Sequence, residues 1–407
     1  MDLIMGMNSG SSFDGIDVVL AETEIAPDGF PRPPKFICGG SYEWPDEVAC
    51  IVRDSFENRV DMIGLNRLNY ICGAVFAEKA AQFMHENDID PLSVKVLGLD
   101  TQTIYQEQPD HKAIAAMSEA EKADWPGRWL SKKYPAGMQM GDTSVIANLT
   151  NIDTVTHFRP ADHTFGGAAA PLMPYLELPH PTMTLNIGGI ANLHVACSDR
   201  SRMLGFDTGP GNVISNYMCR KLFGVEYDRD GLIASHGKVS EKMLDYFMHH
   251  PFFDRPVPRS GWIADYNEEY INSTIERFSY LHKEDILATA CAFTASAIVR
   301  SMYDNVPEEM IKATKKLYCS GGGVRNPQIM KEIRARMPEN IDVTTSAEIG
   351  IPPEYKEAVK FATIAYSTIN CVPGNIPAAG HASQYAILGK IALAPRHIAG
   401  GAQFIKK

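Results

Sequence analysis

Four glycine-rich turns carry the residue types and spacings that could do chemistry: Gly6 to Asp17 (GMNSGSSFDGID), Gly188-Gly189, Gly209-Pro210-Gly211-Asn212 and Gly321-Gly322-Gly323. Glycine lets backbone N–H groups come close to an anion, and successive N–H groups form a concave nest for phosphate oxygens. One such turn is ordinary hairpin geometry. Two hairpin loops repeated in two halves of the chain, with a glycine loop opening a helix, describe a cleft that holds a nucleoside triphosphate from both sides. Asp207, in GFDTGPGN, sets a carboxylate beside such donors at the end of a strand, where a general base can stay ionised and near its proton. As an isolated D-T-G it reads first as a cap on the Thr208-Gly209 turn. Glu357 opens a helix whose first turn would hold Pro352 and Pro353. The macrodipole favours an anion there, and capping alone would account for the residue. Arg159 and Asp162, in HFRPAD, follow a strand and would either bind substrate oxygens or pair with each other on the surface.

The histidines and cysteines have no H-E-x-x-H and no zinc-type spacing, so a dedicated zinc site is not expected. Magnesium carried by nucleotide phosphates needs only one or two protein carboxylates, and Asp14, Asp17 and Asp207 are the candidates. The first glycine loop joins two strands instead of opening a helix, and neither G-x-x-x-x-G-K-[ST] nor G-x-G-x-x-G occurs. That excludes a P-loop and a dinucleotide fingerprint.

The elements that must position these residues alternate between strand and helix. Residues 3 to 8 and 16 to 23 read as strands around the first loop. Helical patterns follow at DEVACIVRDSF and LNRLNYICGAVFAEKAAQFMHEN, then a strand, VKVLGL, leading to Asp100. Residues 107 to 136 are polar and lack aliphatic periodicity, as in a solvated surface excursion. At Thr182 the opening pattern returns: strand, Gly-Gly turn, second strand, polar turn, and a third strand ending at Asp207. KLYCSGGGVRNPQIMKEIRARM reads as strand, glycine loop and helix, and IDVTTSAEIGIPPEYKEAVKFATIAYSTI as strand, loop and helix. The chain is therefore α/β, built of two related halves.

A length of 407 residues leaves room for two or three domains. A net charge of -11 removes the basic footprint of a nucleic-acid binder. No basic stretch followed by an apolar one stands near Met1, so a secretory signal is not expected. The longest apolar run, Ile286 to Val299, spans about 14 residues, short of a membrane crossing, and reads as a buried helix. Eight scattered cysteines without a C-x-x-C pair fit reduced thiols in the cytoplasm.

In order along nearly the whole chain, GMNSGSSFDGID, NIGGIAN, FDTGPGN, YDRDG, GGGVRNP, GIPPEYKEAVKFA and PGNIP resemble the motifs of the anhydro-N-acetylmuramic acid kinase family, the anhydro-sugar kinases. This resemblance implies a two-domain actin-like ATPase (ribonuclease H-like) fold with a duplicated mixed-sheet core and a central nucleotide cleft. The domains would be 1–158, completed by 370–407, and 159–369. ATP phosphates would be held by Gly10, Ser11, Ser12, Phe13, Asp14, Gly15, Ile16 and Asp17 and by Gly188 and Gly189, with Gly321, Gly322 and Gly323 near the nucleoside. Asp207 would be the base that activates water against the anomeric carbon of a 1,6-anhydro sugar while the released O6 takes the γ-phosphoryl group. Glu357 would share that pocket, and Gln102, Arg159, Asp162 and Asn212 would bind the sugar. ATP and Mg2+ are the implied cofactors, a homodimer the implied assembly, and neither nucleic acid nor membrane an implied partner.

The departures fall mainly in segments assigned to the sugar side. DTQTI stands for H-G-Q-T-I, GGAAAP for G-G-Q-G-A-P, HFRPAD for D-F-R-x-x-D, and PVPRSGWIAD for a stretch that ends in Arg-Glu. Losing a glutamine removes a donor and an acceptor from a polar pocket. An altered acceptor, such as levoglucosan or another small sugar, is one alternative, and a catalytically silent nucleotide- or sugar-binding relative is another.

Overall fold

Two apolar runs, each with four consecutive buried residues at its centre, make a hairpin. Asp2–Asn8 (β1) and Ile16–Thr23 (β2) pair antiparallel from Asp2↔Thr23 to Asn8↔Asp17, so the Gly/Ser loop closes a strand-to-strand turn. The computed structural model describes residues 1–9, 13, 15–169, 172, 181–259, 261 and 263–398. Lys35–Tyr42 (β3) extends the hairpin antiparallel, while Val94–Asp100 (β4) and Thr154–Thr156 (β7) join it parallel, in the order β7-β4-β1-β2-β3. Gln102–Gln106 (β5) and Gly137–Met140 (β6) form a separate two-stranded ribbon.

The same order recurs. Thr182–Ile187 (β8), Ile190–Ala196 (β9) and Leu204–Pro210 (β10) run as an antiparallel meander, and Lys316–Ser320 (β11) and Asp342–Thr345 (β12) add parallel, giving β10-β9-β8-β11-β12. Strand for strand this repeats β3-β2-β1-β4-β7, so the mixed-sheet core is duplicated. Lys390–Ala392 (β13) then pairs antiparallel with β7 at the edge of the first sheet.

The chain divides into one unit of Met1–Glu177 with Glu357–Lys407 and a second of Leu178–Lys356. Both boundaries lie away from 158 and 370, for a physical reason. Ala168 N–H bonds Gly380 O at 2.9 Å and Ser383 N–H bonds Phe165 O at 2.8 Å, which ties residues 159–169 to the C-terminal return. The helix Lys356–Ile369 also lies on the first sheet, where Phe361, Ala362 and Ala365 pack with Ile4, Val96 and Val155. It starts later than expected, because Pro352 and Pro353 form a turn that precedes it. In the second unit the helix Lys283–Asn305 is long and apolar enough to cross a membrane, yet most of its residues are buried in that unit's core.

The polar stretch 107–136 contains three short helices, His111–Ala115, Glu119–Ala123 and Trp125–Leu130, the second opened by a capping box between Ser118 and Glu121. Arg128 moors the stretch by donating to Thr164 O at 3.2 Å. His163, 3% exposed, lies 2.9 Å from the Gln106 amide, and burial with the nearby Arg159 charge pushes its pKa from 6.5 to about 4. Burial and the His381 ring, 4.9 Å away, do the same to His111, also to about 4. Both folded values lie below the unfolded one, so their stabilisation is complete above pH 6.5 and is lost as pH falls towards 4. The urea midpoint should fall across that window, and less steeply in His163→Gln. An equal slope in the variant would exclude His163 as a source.

Candidate functional site

In the first unit, Ser9 follows β1 and is buried. Its hydroxyl donates to Gln102 Oε1 at 2.7 Å and accepts the Trp44 indole N–H at 3.1 Å. Gln102, fully buried, completes its set by donating to Thr103 O at 3.1 Å. Gln102 therefore underpins the first glycine loop, with both ends of its amide engaged inside the protein. Phe13 has a left-handed φ of 54°, and its ring packs 5.1 Å from Trp44 and 6.2 Å from Phe56. Ile16 is core. These two can offer a phosphate only backbone, with Gly15 between the loop and β2. Asp17, at the loop exit, accepts the Ser41 hydroxyl at 2.6 Å. Gly10, Ser11, Ser12 and Asp14 lie outside the described residues.

Arg159 and Asp162 do not pair with each other, and neither sits on the surface. Arg159 Nη2 meets Asp100 Oδ2 at 2.8 Å, with the two side chains 14% and 8% exposed, and Nη1 donates to Ala169 O at 3.1 Å. Asp100 also accepts Gln139 Nε2 at 2.6 Å. Asp162 accepts Ala169 N–H and Asn375 Nδ2, both at 2.8 Å, and burial pushes its pKa up. A carboxylate held by these neutral donors braces the 162–169 turn. Gly167 is obligatory beside it, since a Cβ there would lie 2.1 Å from Asp162 Oδ2. Glu357 is in the first turn of its helix and pairs with Lys360, whose ammonium lies over the Phe361 ring.

In the second unit, three glycine turns meet at the C-terminal end of β8. Gly188 O accepts Asn212 N–H at 2.8 Å and Gly189 O accepts Gly211 N–H at 2.9 Å, so two turns stack backbone on backbone. A Cβ at Gly211 would lie 2.1 Å from Gly188 O, and one at Gly323 would lie 2.2 Å from Ile187 Cγ2. Gly321 takes φ +83° and donates to Pro353 O at 2.9 Å. By contrast, a Cβ at Gly189 meets nothing within 4 Å and one at Gly322 meets only Asn212 Nδ2, at 3.9 Å. Some glycines thus lock the turns together, and others leave backbone open to an anion. Asn212 contributes twice, its N–H to Gly188 O and its side chain to Ile187 O at 3.4 Å, just before the helix Val213–Phe223.

Asp207 does not end its strand. β10 continues to Pro210 through a bulge: Asp207 faces Asn192, Gly209 faces Ala191, and Thr208 is the extra residue. Bulges re-aim side chains, and here the Asp207 carboxylate accepts Gly261 N–H at 2.7 Å instead of capping Thr208-Gly209. Sequence reasoning did not single out Ser9, Trp44, Gln139, Arg259 or Gly261 as site residues. Of these, Ser9 carried a signal by lying within GMNSGSSFDGID, and Arg259 and Gly261 by standing in a stretch that departs from the family pattern.

A carboxylate on a bulged strand beside stacked glycine turns is an arrangement suited to general-base chemistry. The model of the anhydro-N-acetylmuramic acid kinase family matches residues 2–123 and 127–394. Curated relatives of that name include one from Bacillus cereus (strain AH820) and one from Bacillus anthracis, each 32% identical over 96% of this chain and 99% of its own length. With motifs, duplicated sheets and both measures of sequence similarity in agreement, the chain belongs to the anhydro-N-acetylmuramic acid kinase family.

Proposed function

We propose that the protein is an ATP- and Mg2+-dependent kinase that opens a 1,6-anhydro sugar of the anhydro-N-acetylmuramic acid type with water and phosphorylates its O6. The observation that carries this reading is the Asp207 carboxylate, set next to the Thr208 bulge and met by Gly261 N–H beside three glycine turns. Water attacks the anomeric carbon and passes a proton to Asp207, the C1–O6 bond breaks, and O6 takes the γ-phosphoryl group as ADP leaves. Such a transfer depends on alignment and charge neutralisation more than on a covalent enzyme intermediate. The β1–β2 loop and Gly188-Gly189 supply backbone donors to the phosphates, and Gly321 to Gly323 lie towards the nucleoside. Magnesium neutralises phosphate charge when bound. Asp17, whose carboxylate Ser41 orients, offers the hard oxygen that ion takes. Glu357 shares the sugar pocket in this reading, and cytoplasmic location and a homodimer go with it.

One observation favours a second acceptor. The Arg159 charge is already met by buried Asp100, so the pocket does not require an anionic substituent, and a neutral anhydro sugar such as levoglucosan fits that balance. Coupled ADP release with ATP and magnesium, across anhydro-N-acetylmuramic acid, levoglucosan, N-acetylmuramic acid and simple hexoses, tests both. Turnover confined to an anhydro sugar supports the mechanism and identifies the acceptor. Nucleotide binding with no turnover on any of them would replace the kinase reading with that of a silent relative.

A further inference from the structure

The Thr208 bulge has a cost that some group must offset, because it interrupts the ladder at Asp207 and Thr208, whose carbonyls then need other donors. Both are recovered from one place. Arg259 Nε donates to Asp207 O at 3.2 Å, and Asp207 N–H in return donates to Arg259 O at 3.0 Å. Arg259 Nη2 donates to Ser301 Oγ at 2.7 Å, and that hydroxyl donates to Thr208 O at 2.8 Å. The remaining nitrogen, Nη1, reaches Phe253 O at 3.3 Å and Arg255 O at 3.1 Å.

The guanidinium, 4.6 Å from the Phe252 ring centroid, belongs to a residue only 6% exposed, and these acceptors are all neutral. A buried cation is expensive unless it is fully hydrogen-bonded, and packing alone would be served as well by an aliphatic residue. What the arginine does in addition is join three segments, 253–259, β10 and the helix Lys283–Asn305, at the bulge. Two residues further on, Gly261 delivers its N–H to the Asp207 carboxylate. The clamp and the carboxylate's donor are thus parts of one short segment.

We infer that Arg259 is the positioning residue for the Asp207 base, fixing the bulge and the Gly261 amide so that the carboxylate holds one orientation. The inference rests on Asp207 being the base in the reaction proposed above. It does not place Arg259 in contact with ATP or sugar, so its loss acts on the chemical step and not on binding.

The test is steady-state kinetics of the full chain with ATP, magnesium and the anhydro sugar that the wild type turns over, alongside direct titration with an ATP analogue. Arg259→Met, similar in length and without hydrogen bonds, should lower kcat about 100-fold, the scale of a misplacement near 1 Å. Both KM values should stay within about threefold and nucleotide affinity should be unchanged. Arg259→Lys, which keeps the charge and part of the bonding, should recover about tenfold of that loss. Ser301→Ala removes only the relay to Thr208 and should cost a few-fold in kcat, again without a change in KM. If Arg259→Met does not fold, the lysine and alanine variants decide. Wild-type kcat in both, or losses confined to KM, would overturn the clamp while leaving the kinase reading intact. No sugar-dependent turnover by the wild type would overturn that reading, and the clamp with it.

Discussion

Asp207→Asn is expected to lower sugar-dependent ATP turnover by about 10²–10⁴-fold, the usual contribution of a general base. Affinity for an ATP analogue should stay within about twofold. The substitution keeps the shape and the acceptor that Gly261 N–H meets at 2.7 Å, so the carboxamide can take up the same place. It removes the ability to accept a proton from water. Nucleotide affinity should be spared because the turns proposed to take the phosphates are held by backbone contacts independent of the side chain: Gly188 O to Asn212 N–H, Gly189 O to Gly211 N–H and Gly321 N–H to Pro353 O. A fall in kcat with unchanged nucleotide titration therefore separates a base from a structural aspartate. Undiminished turnover would remove Asp207 from the mechanism. Loss of nucleotide binding in step with turnover would make it a brace of the turn.

The glycine turns were legible because close backbone approach and positive φ leave a mark on residue type. Gly211, Gly321 and Gly323 stand where a Cβ would collide with backbone or with Ile187, and the repeat of strand, turn and strand announced the duplicated sheet. The side-chain networks were not legible. Asp100 and Gln139 are 39 positions apart and Arg259 and Ser301 are 42 apart, so no period or spacing links them. The bulge at Thr208 was hidden for a related reason. An extra residue in a strand changes the ladder without altering the apolar run that predicts it, and the strand seemed to end where it only changes register. Asp162 shows the limit of reading a site from a motif. Its letters say nothing of the bonds it accepts from Ala169 and Asn375, the latter 213 positions away.

Gly98→Ala should be among the most destabilising single changes in the first unit, costing about 3 kcal/mol or more, at or beyond the upper end of ordinary overpacking. An added Cβ would lie 2.2 Å from Phe361 O and 2.5 Å from Ala365 Cβ, and at Gly6 on the neighbouring strand it would lie 2.0 Å from Ala358 O. The obstacle at both positions is helix backbone, which has no alternative rotamer to adopt, so the helix Lys356–Ile369 must lift from β1 and β4. That movement would open the layer where Phe361, Ala362 and Ala365 pack on Ile4, Val96 and Val155. It would also shift Glu357 relative to Ser9, since β1 leads directly into the first glycine loop. Stability and turnover should therefore fall together, unlike the Asp207 substitution, where only turnover falls. Gly29→Ala gives the contrast: its φ of +87° is unfavourable for alanine but nothing lies within 4 Å of the new methyl, so about 1–2 kcal/mol of backbone strain is the whole expected effect. Urea midpoints for the three variants test the ordering, with Gly6→Ala and Gly98→Ala both well below Gly29→Ala. A Gly98→Ala protein as stable as the wild type would mean that the helix does not cross the strands at that distance.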